Sequence, residues 1–405
     1  MSLDGGSGPP QPVPREAADR GGNLGDPSSA GTSANHGPRM NRRSALRASG
    51  TVGLLALCGC LGGTSGQVNE RTVVDGVGRQ VAVPDTVDRV IGLGPGALRQ
   101  VVYVDGTDRV VGVERGEQAD FETLPYNAAN PKLGDLPIVG NSGPEAAGDA
   151  ESILEVDPDV VFLSSIGGYQ AADQLTDQTG IPTVVLDMPF LTDADGRSAY
   201  FESLGLVGEV LGASERAAAL VSDVKSLIAD LRGRAPDTPA ASAYVGGVSF
   251  KGSQGLTTTR VPYAPFSLSG IRNVAREIET AHVSVDVSSE SLIAWDPPVV
   301  FCSVQNLPLV RQDLRRHPEL ESLSAIRAGR IHVMPPVSHY HENLGTMLVN
   351  AVYVGSVLLP DHFGEWRIGN WADRVYEILL GTSPFETLQE QQPAYQRVSL
   401  VDGGG

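Results

Sequence analysis

Residues 197–234 read RSAYFESLGLVGEVLGASERAAALVSDVKSLIADLRGR, the longest stretch of the chain that is compatible with a helix. Its second half has apolar residues at helical spacing, polar residues between them and no proline. The apolar positions are Leu220, Val221, Val224, Leu227, Ile228 and Leu231. One continuous helix would extend about 57 Å, whereas a joint near Gly212, with Ser214 as an N-cap, would divide it into two. The sequence predicts helix here and leaves both arrangements open.

Two similar segments flank this helical stretch. Residues 151–164 read ESILEVDPDVVFLS, and residues 290–303 read ESLIAWDPPVVFCS. Each segment predicts a short helix, a turn at Asp-Pro and then a buried strand. Helix-proline-strand units occur in every α/β protein, but here the two segments agree along their whole length. We therefore expect two similar lobes joined by the helical stretch.

Short apolar runs elsewhere in the chain alternate with stretches of helical periodicity. They lie at residues 89–93, 108–113, 136–140, 181–186, 241–245 and 329–334. Before them, Asp75-Gly76 between two β-type runs predicts a hairpin. Alternating strands and helices are typical of mostly parallel sheets that are covered by helices on both faces. The expected fold class is α/β, with two Rossmann-like lobes of mostly parallel sheet joined by one long bridging helix.

The charge balance limits the possible partners. The 405 residues include 30 Lys and Arg against 48 Asp and Glu, so the net charge is −18. Such a chain repels phosphate, which excludes nucleic acid as a partner. The only lysines are Lys132, Lys225 and Lys251. An acidic chain with so few lysines suggests a halophilic host, because high salt screens the self-repulsion.

The first 70 residues predict a leader rather than a folded domain. Residues 1–39 are rich in Gly, Pro and Ser and are expected to be disordered, or an extension ahead of a true start at Met40. Residues 40–60 combine twin arginines, a short apolar run and a final Leu-Cys-Gly-Cys, typical of a twin-arginine-type lipoprotein signal. Cys60 is then the lipidated residue, and residues 61–70 form a Gly/Ser-containing tether.

The chain resembles the substrate-binding proteins of ABC importers for iron-siderophore, haem and cobalamin, the class with two lobes and a single bridging helix. The resemblance rests on the order and spacing of residues 75–84, 89–93, 108–113, 151–162, 180–184, 290–301 and 328–333. It implies a lipid-anchored, extracytoplasmic, monomeric protein without enzyme activity or a cofactor of its own. Its ligand would be an iron(III) chelate, which it would deliver to an ABC permease dimer.

The resemblance also implies where the permease docks. In that family a glutamate on each lobe enters an arginine pocket of the permease, and both glutamates precede the Pro-strand units. The matching residues here are Glu151 and Glu290. Two equivalent carboxylates fit a two-fold partner, and charge pairs fix orientation. The alternative is that each glutamate merely favours the first turn of its helix.

The ligand is expected between the lobes. Open α/β sheets bind ligands beyond the carboxyl ends of their strands, and in two facing lobes those ends line one cleft. Many iron chelates are anionic, so we expect Arg115, Lys251 and Arg260 to contact the ligand. Tyr263 and Tyr340 would stack on the chelate or donate hydrogen bonds to it.

His339 and His341, followed by Glu342, form the only histidine cluster in the sequence. A bare metal ion needs three or four protein ligands, and the predicted first lobe contains no histidine. We therefore expect both histidines to contact the ligand and expect no direct metal site. Cobalamin or haem binding, then a bare divalent-metal binder, stay open as alternatives. A secreted α/β hydrolase ranks last, because G-x-S-x-G and H-E-x-x-H are absent.

The expected boundaries follow from these segments. After the leader, the N-terminal lobe spans residues 71–192, the bridging helix residues 193–236, the C-terminal lobe residues 237–385 and a polar tail residues 386–405.

Overall fold

A computed structural model of the chain describes residues 69–119, 121–143, 148–167, 169–249, 252–280 and 283–400, called the described residues below. They all belong to one contiguous unit, Thr64–Gly405. The predictions for the leader, including the lipidated Cys60, and for Lys251 lie outside the described residues.

The strands are short and most of them are buried. They are β1 (Glu70–Val74), β2 (Gln80–Pro84), β3 (Val90–Leu93), β4 (Val110–Gly112), β5 (Val160–Ser164), β6 (Thr183–Leu186), β7 (Ala241–Gly246), β8 (Thr258–Thr259), β9 (Ile271–Asn273), β10 (Val285–Asp286), β11 (Val300–Ser303), β12 (Ile331–Met334) and β13 (Gln396–Val398).

Helices alternate with the strands, as the apolar periodicity predicts. They are α1 (Ala97–Tyr103), α2 (Arg115–Ala119), α3 (Pro125–Ala128), α4 (Ala150–Val156), α5 (Gln170–Thr179), α6 (Ala194–Val210), α7 (Ser214–Arg234), α8 (Ala264–Ser269), α9 (Ser289–Trp295), α10 (Leu307–Arg316), α11 (Ser324–Arg327), α12 (Leu344–Leu358), α13 (Pro360–Phe363), α14 (Ile368–Leu380) and α15 (Phe385–Gln391). Within the described part of the chain, none of these helices has both the length and the apolar character needed to span a membrane.

Two sheets organise the molecule. The first has strand order β4-β3-β5-β6 and is entirely parallel, and we call the structure around it the first lobe. The second has order β13-β12-β11-β7-β9, parallel except for β13, and defines the second lobe. Strands β3, β5, β6 and β11 are buried along their whole length, because helices cover both faces of a parallel sheet. The expected α/β fold is confirmed.

The predicted hairpin is β1 and β2, which pair antiparallel around Asp75. It is attached to the edge of the first sheet, where the Gly76 amide donates to the Val185 carbonyl at 2.8 Å. A Cβ on Gly76 would lie 2.4 Å from the Asp187 amide nitrogen, so only glycine fits this contact.

The helical stretch that opened the sequence analysis forms two helices. Gly212 has φ 67° in the joint between α6 and α7, and Ala213 rather than Ser214 occupies the N-cap of α7. Helix α6 packs against α1 in the first lobe, whereas α7 packs against α8, α12 and α14 in the second. Of the two arrangements that the sequence left open, the structure therefore has two helices joined at Gly212 rather than one long bridging helix.

The two similar segments form matching helix-strand units, α4 with β5 and α9 with β11. Each helix begins with a side-chain cap: Asp149 accepts a hydrogen bond from the Ser152 amide at 2.9 Å, and Ser288 accepts one from the Ser291 amide at 3.1 Å. Such caps satisfy amides that the first turn leaves unpaired. The sequence similarity therefore reflects the same local structure.

The C-terminal segment is folded where the sequence indicated a polar tail. Helix α15 packs against α3 and the 3-10 turn Phe121–Thr123 of the first lobe. Strand β13 then pairs with β12, the edge strand of the second sheet. The tail region therefore contacts both lobes. Backbone pairing and packing stabilise it although its sequence has little apolar periodicity.

Both repeated helices end at an aspartate with a left-handed backbone, Asp157 at φ 46° and Asp296 at φ 37°. Only the Asp296 carboxylate caps a neighbouring segment, accepting from the Ser324 amide at 2.7 Å and its hydroxyl at 2.6 Å. We expect Asp157→Gly to raise the free energy of unfolding by up to about 1 kcal/mol, because glycine adopts this backbone without strain. Asp296→Gly should lower it by about 1 kcal/mol, because the cap is lost.

Urea unfolding of the two variants, each against the parent, measures this difference. Because both substitutions place glycine after an equivalent helix, each controls for the other. Equal destabilisation in the two variants would contradict the assignment.

Candidate functional site

The lobes meet where the carboxyl ends of their strands face each other. Arg99, in the helix that follows β3, is fully buried and reaches the segment that follows β12. Its guanidinium donates to the carbonyls of Glu342 at 2.6 Å, Tyr340 at 3.0 Å and His339 at 3.2 Å. It also lies 4.9 Å from the centroid of the Tyr126 ring. A first-lobe arginine thus holds residues 339–342, which we call the interlobe turn.

The interlobe turn has an unusual backbone. Tyr340 and His341 are consecutive non-glycine residues with positive φ, 48° and 71°. Such residues cost on the order of 1–3 kcal/mol each unless the surroundings hold them in place. The three hydrogen bonds from Arg99 supply that restraint, and they direct Tyr340 and His341 into the first lobe.

Tyr340 reaches a carboxylate at the end of β4. Its hydroxyl donates to Glu114 Oε2 at 2.5 Å, and the Gly94 amide donates to the same oxygen at 2.9 Å. Glu114 is 0% exposed. Burial raises the pKa of Glu114 to about 8, although the hydrogen bonds from Tyr340 and Gly94 counteract part of the rise.

His341 lies in an apolar niche of the first lobe. Its ring meets the Phe190 ring edge-on at 5.5 Å, and burial lowers its pKa to about 4, so the imidazole is neutral near pH 7. Gly96 makes this approach possible: it has φ 89°, and a Cβ there would lie 3.2 Å from His341 Cδ2 and 2.6 Å from Met188 Cε.

Glu342 joins the turn to both lobes. One carboxylate oxygen accepts from the Leu191 amide at 2.5 Å, and the other forms a buried ion pair with Arg260. Burial is the largest single influence and would raise the pKa of Glu342, but Arg260, His341 and the Leu191 amide together outweigh it and hold the pKa below its ordinary value. The Arg260 carbonyl in turn accepts from Asn273 Nδ2 at 3.0 Å.

A crevice opens in the second lobe at the carboxyl ends of β7, β11 and β12, with an empty volume of about 280 Å³. We call it the second-lobe crevice. Its lining residues are Val245, Val248, Ser249, Arg260, Tyr263, Ser303, Met334, Pro335, Pro336, Val337 and Ser338. Most of the wall is apolar, with a few polar groups among it, which is the usual composition of a small-molecule site.

The structure brings several predicted ligand contacts together. Arg260 and Tyr263 line the second-lobe crevice, where Tyr263 is only 5% exposed. His339 lies in the interlobe turn, with its ring 3.5 Å from Gln305 Nε2. Arg115 is exposed and its Nε donates to Asn141 Oδ1 at 3.4 Å.

Arg260 differs from the free cation that the sequence suggested, because Glu342 already neutralises its charge. Reasoning from sequence also missed Arg99 and Glu114. An arginine inside a mostly apolar helix and a glutamate just after a buried strand were the available signals. The ligand contacts of Arg115, Lys251, Arg260, Tyr263, His339, Tyr340 and His341 stay predictions.

The two candidate docking residues are exposed at equivalent positions. Glu151 lies in the first turn of α4 and Glu290 in the first turn of α9. Both helices lead into the central strands of their sheets. Among the described residues, no cluster of three or more His, Cys, Asp or Glu side chains is arranged to hold a metal ion.

Comparison with known proteins is informative at the level of family and fold. Residues 87–337, more than half of the chain, match the family profile described as "Periplasmic binding protein". A periplasmic solute binding protein from Veillonella parvula is similar, with a TM-score of 0.62 and 19% identity over 79% of this chain and 96% of that chain.

Two further structures share this likeness. The molybdate periplasmic binding protein MolA of Haemophilus influenzae has a TM-score of 0.62 and 21% identity, over 77% of this chain and 98% of that chain. CeuE of Helicobacter pylori, in a Ni-His complex, has a TM-score of 0.58 and 15% identity, over 80% of this chain and 99% of that chain. No curated protein sequence matches the chain significantly. At such identities the structural likeness shows the fold alone.

The raised pKa of Glu114 predicts a pH dependence of stability. A carboxyl whose pKa is higher in the folded protein contributes stability that is complete below its unfolded pKa and is lost as the pH rises through its folded pKa. For Glu114 this window runs from about 4.5 to about 8. The free energy of unfolding should fall by about 1.4 kcal/mol for each pH unit within it.

His332 and His341, whose pKa values burial lowers to about 4, have the opposite effect, but only below about pH 6.5. Between about pH 6.5 and about pH 8 the histidines no longer contribute, and the effect of Glu114 is accompanied by that of Glu117, whose pKa burial also raises. Urea unfolding of the parent and of Glu114→Gln over this range measures the part due to Glu114, because the amide keeps an acceptor for Gly94 and Tyr340 without titrating. The same slope in both proteins would show that another group is responsible.

Proposed function

Because the chain belongs to the periplasmic binding protein family, we propose that it is the solute-binding component of an ABC importer and captures an iron(III) chelate between its lobes. Proteins of this family are extracytoplasmic and bind solutes rather than catalyse reactions. The observation that carries the proposal is the interlobe turn, which directs Tyr340 and His341 toward the first lobe beside the second-lobe crevice.

The choice of cargo rests on the resemblance to iron-siderophore, haem and cobalamin binders rather than on the fold. MolA binds molybdate and the CeuE structure is a Ni-His complex, so proteins of this architecture take unlike ligands, and the loops at the strand ends decide which. Haem and cobalamin are the alternatives of the same family, and a bare divalent ion ranks below them.

Delivery to the importer requires a docking surface, for which we propose Glu151 and Glu290. Two exposed carboxylates at matching positions of two lobes suit a permease dimer that presents an arginine pocket from each subunit. In the same scheme Cys60 carries a lipid that keeps the monomeric protein on the outer face of the cell membrane, so that the permease is within reach. A net charge of −18 further disfavours anionic macromolecular partners such as nucleic acid.

A thermal-shift panel in concentrated salt tests the cargo. It contains ferric hydroxamate and catecholate chelates, haemin, cobalamin, and Fe, Mn and Zn ions. The true ligand at a hundredfold its dissociation constant should stabilise the protein by about 2.7 kcal/mol. We expect stabilisation by an iron chelate. Stabilisation by haemin or cobalamin alone would identify that compound as the cargo in place of an iron chelate. Stabilisation by bare ions only would contradict chelate capture.

The docking residues are tested by a double variant, Glu151→Ala with Glu290→Ala. We expect unchanged ligand affinity, because both side chains are exposed at the starts of helices, and loss of ligand uptake in cells that carry the importer. The matched control is Glu155→Ala with Glu321→Ala, which removes two exposed carboxylates, one from each lobe, and should leave uptake intact. Reduced ligand affinity in the first variant, or equal loss of uptake in both, would overturn the docking assignment.

A further inference from the structure

Two residues that line the second-lobe crevice each carry a buried polar atom without a hydrogen-bond partner among the described residues: Arg260 at Nε and Ser303 at Oγ. Arg260 is 2% exposed and Ser303 is 5% exposed. Native proteins pair nearly all such atoms, and an unpaired one costs about 1–3 kcal/mol. These two atoms therefore mark a place where a bound group completes the structure.

The unpaired atoms define what that group must offer. Arg260 Nε carries a hydrogen and can only donate, and a serine hydroxyl can also donate. The Arg260 Nη2 group is already engaged by Glu342, whereas Nε is a buried donor without a partner among the described residues. The complementary group is an oxygen that accepts hydrogen bonds.

The charge around the crevice selects among oxygen acceptors. Arg260 is the only charged side chain among the described residues that line it, and its buried ion pair with Glu342 is electrically neutral. The Leu191 amide fixes Glu342 in that position at 2.5 Å. Among the described residues, a carboxylate entering the crevice would find no free positive charge to offset its lost hydration, and it would approach the Glu342 carboxylate. An uncharged carbonyl avoids both penalties.

The size and walls of the crevice set the rest of the ligand class. The space between its walls is about 280 Å³ even when the part open to solvent is included, whereas sites that enclose a whole ligand span roughly 300–1,000 Å³. Val245, Val248, Met334 and Val337 supply apolar walls. The crevice therefore suits one compact arm of a larger molecule whose remainder lies between the lobes.

We propose that the second-lobe crevice binds an uncharged carbonyl arm of the ligand, such as an amide or an iron-bound hydroxamate whose charge the metal ion neutralises, through Arg260 Nε and Ser303 Oγ. The preferred ligands are then neutral, oxygen-rich chelates rather than anionic ones. This inference rests on the proposed function of the cleft and names its substrate class. Under this proposal, Ser303 contributes to ligand specificity and Glu342 keeps the site electrically neutral.

Small fragments test the crevice directly, whatever the complete cargo is. Acetohydroxamic acid and N-methylacetamide are neutral probes and acetate is the charged one, each followed by ligand-observed NMR at pH 7 on the whole protein. We expect the neutral probes to bind at least tenfold more tightly than acetate. Ser303→Ala should weaken their binding about 3–10-fold, the effect of one hydrogen bond.

Thermal unfolding separates this role from a structural one. Because the Ser303 hydroxyl has no hydrogen-bond partner among the described residues, Ser303→Ala should unfold at the parent temperature or above it. The control is Ser356→Ala in α12, which loses a bond to the Val352 carbonyl at 2.8 Å and should bind the probes normally. Glu342→Gln should bind acetate more tightly than the parent does, because the substitution leaves the positive charge of Arg260 unpaired. If this variant fails to fold, the comparison of Ser303→Ala with the parent decides whether the proposal holds.

Acetate binding as tightly as the neutral probes, or unchanged probe binding by Ser303→Ala, would overturn the proposal. Neither result would test the importer role, which is tested by the uptake measurements on the docking variants. Conversely, normal probe binding together with no response to any chelate would support the subsite and refute the iron-chelate cargo.

Discussion

One buried guanidinium holds this architecture together. Arg99 of the first lobe donates to three carbonyls of the interlobe turn, and the contacts that Tyr340, His341 and Glu342 make with the first lobe follow from the position of that turn. The left-handed backbone at Tyr340 and His341 is retained because the carbonyls around it are bound. Glu114 meets Tyr340, and Glu342 meets both Leu191 and Arg260, as consequences of the same geometry.

Burying these polar groups costs free energy, and nearby partners in the structure offset part of that cost. Arg260 and Glu342 neutralise each other, and losing one partner of such a pair is usually far worse than never having had it. Glu114 has no cation among its hydrogen-bond partners, so its proton affinity rises instead. Such an arrangement contributes less to stability than to geometry: it leaves an unpaired donor on each of Arg260 and Ser303, two residues that line a small space with mostly apolar walls.

In the proposed function, the repeated helix-strand units contribute to both capture and delivery. Their strands lie at the centre of each sheet and lead into the cleft, while their helices begin with the exposed Glu151 and Glu290. The likeness to periplasmic binding proteins of unlike cargo agrees with this division, since the scaffold is common and the loops differ. The connection between the lobes is divided as well, because α6 packs with the first lobe and α7 with the second.

The amino-acid sequence by itself determined the α/β class, the hairpin and the paired units α4-β5 and α9-β11, because periodicity, caps and Asp-Pro turns act over a few neighbouring residues. It also located the loops after the strands where the site lies. Only the tertiary structure decided that Arg260 pairs with Glu342, 82 residues away, and that Arg99 binds the turn 243 residues away. Those partners depend on the complete path of the chain, including the joint at Gly212 and the C-terminal α15 and β13, and no local pattern encodes which buried charge meets which.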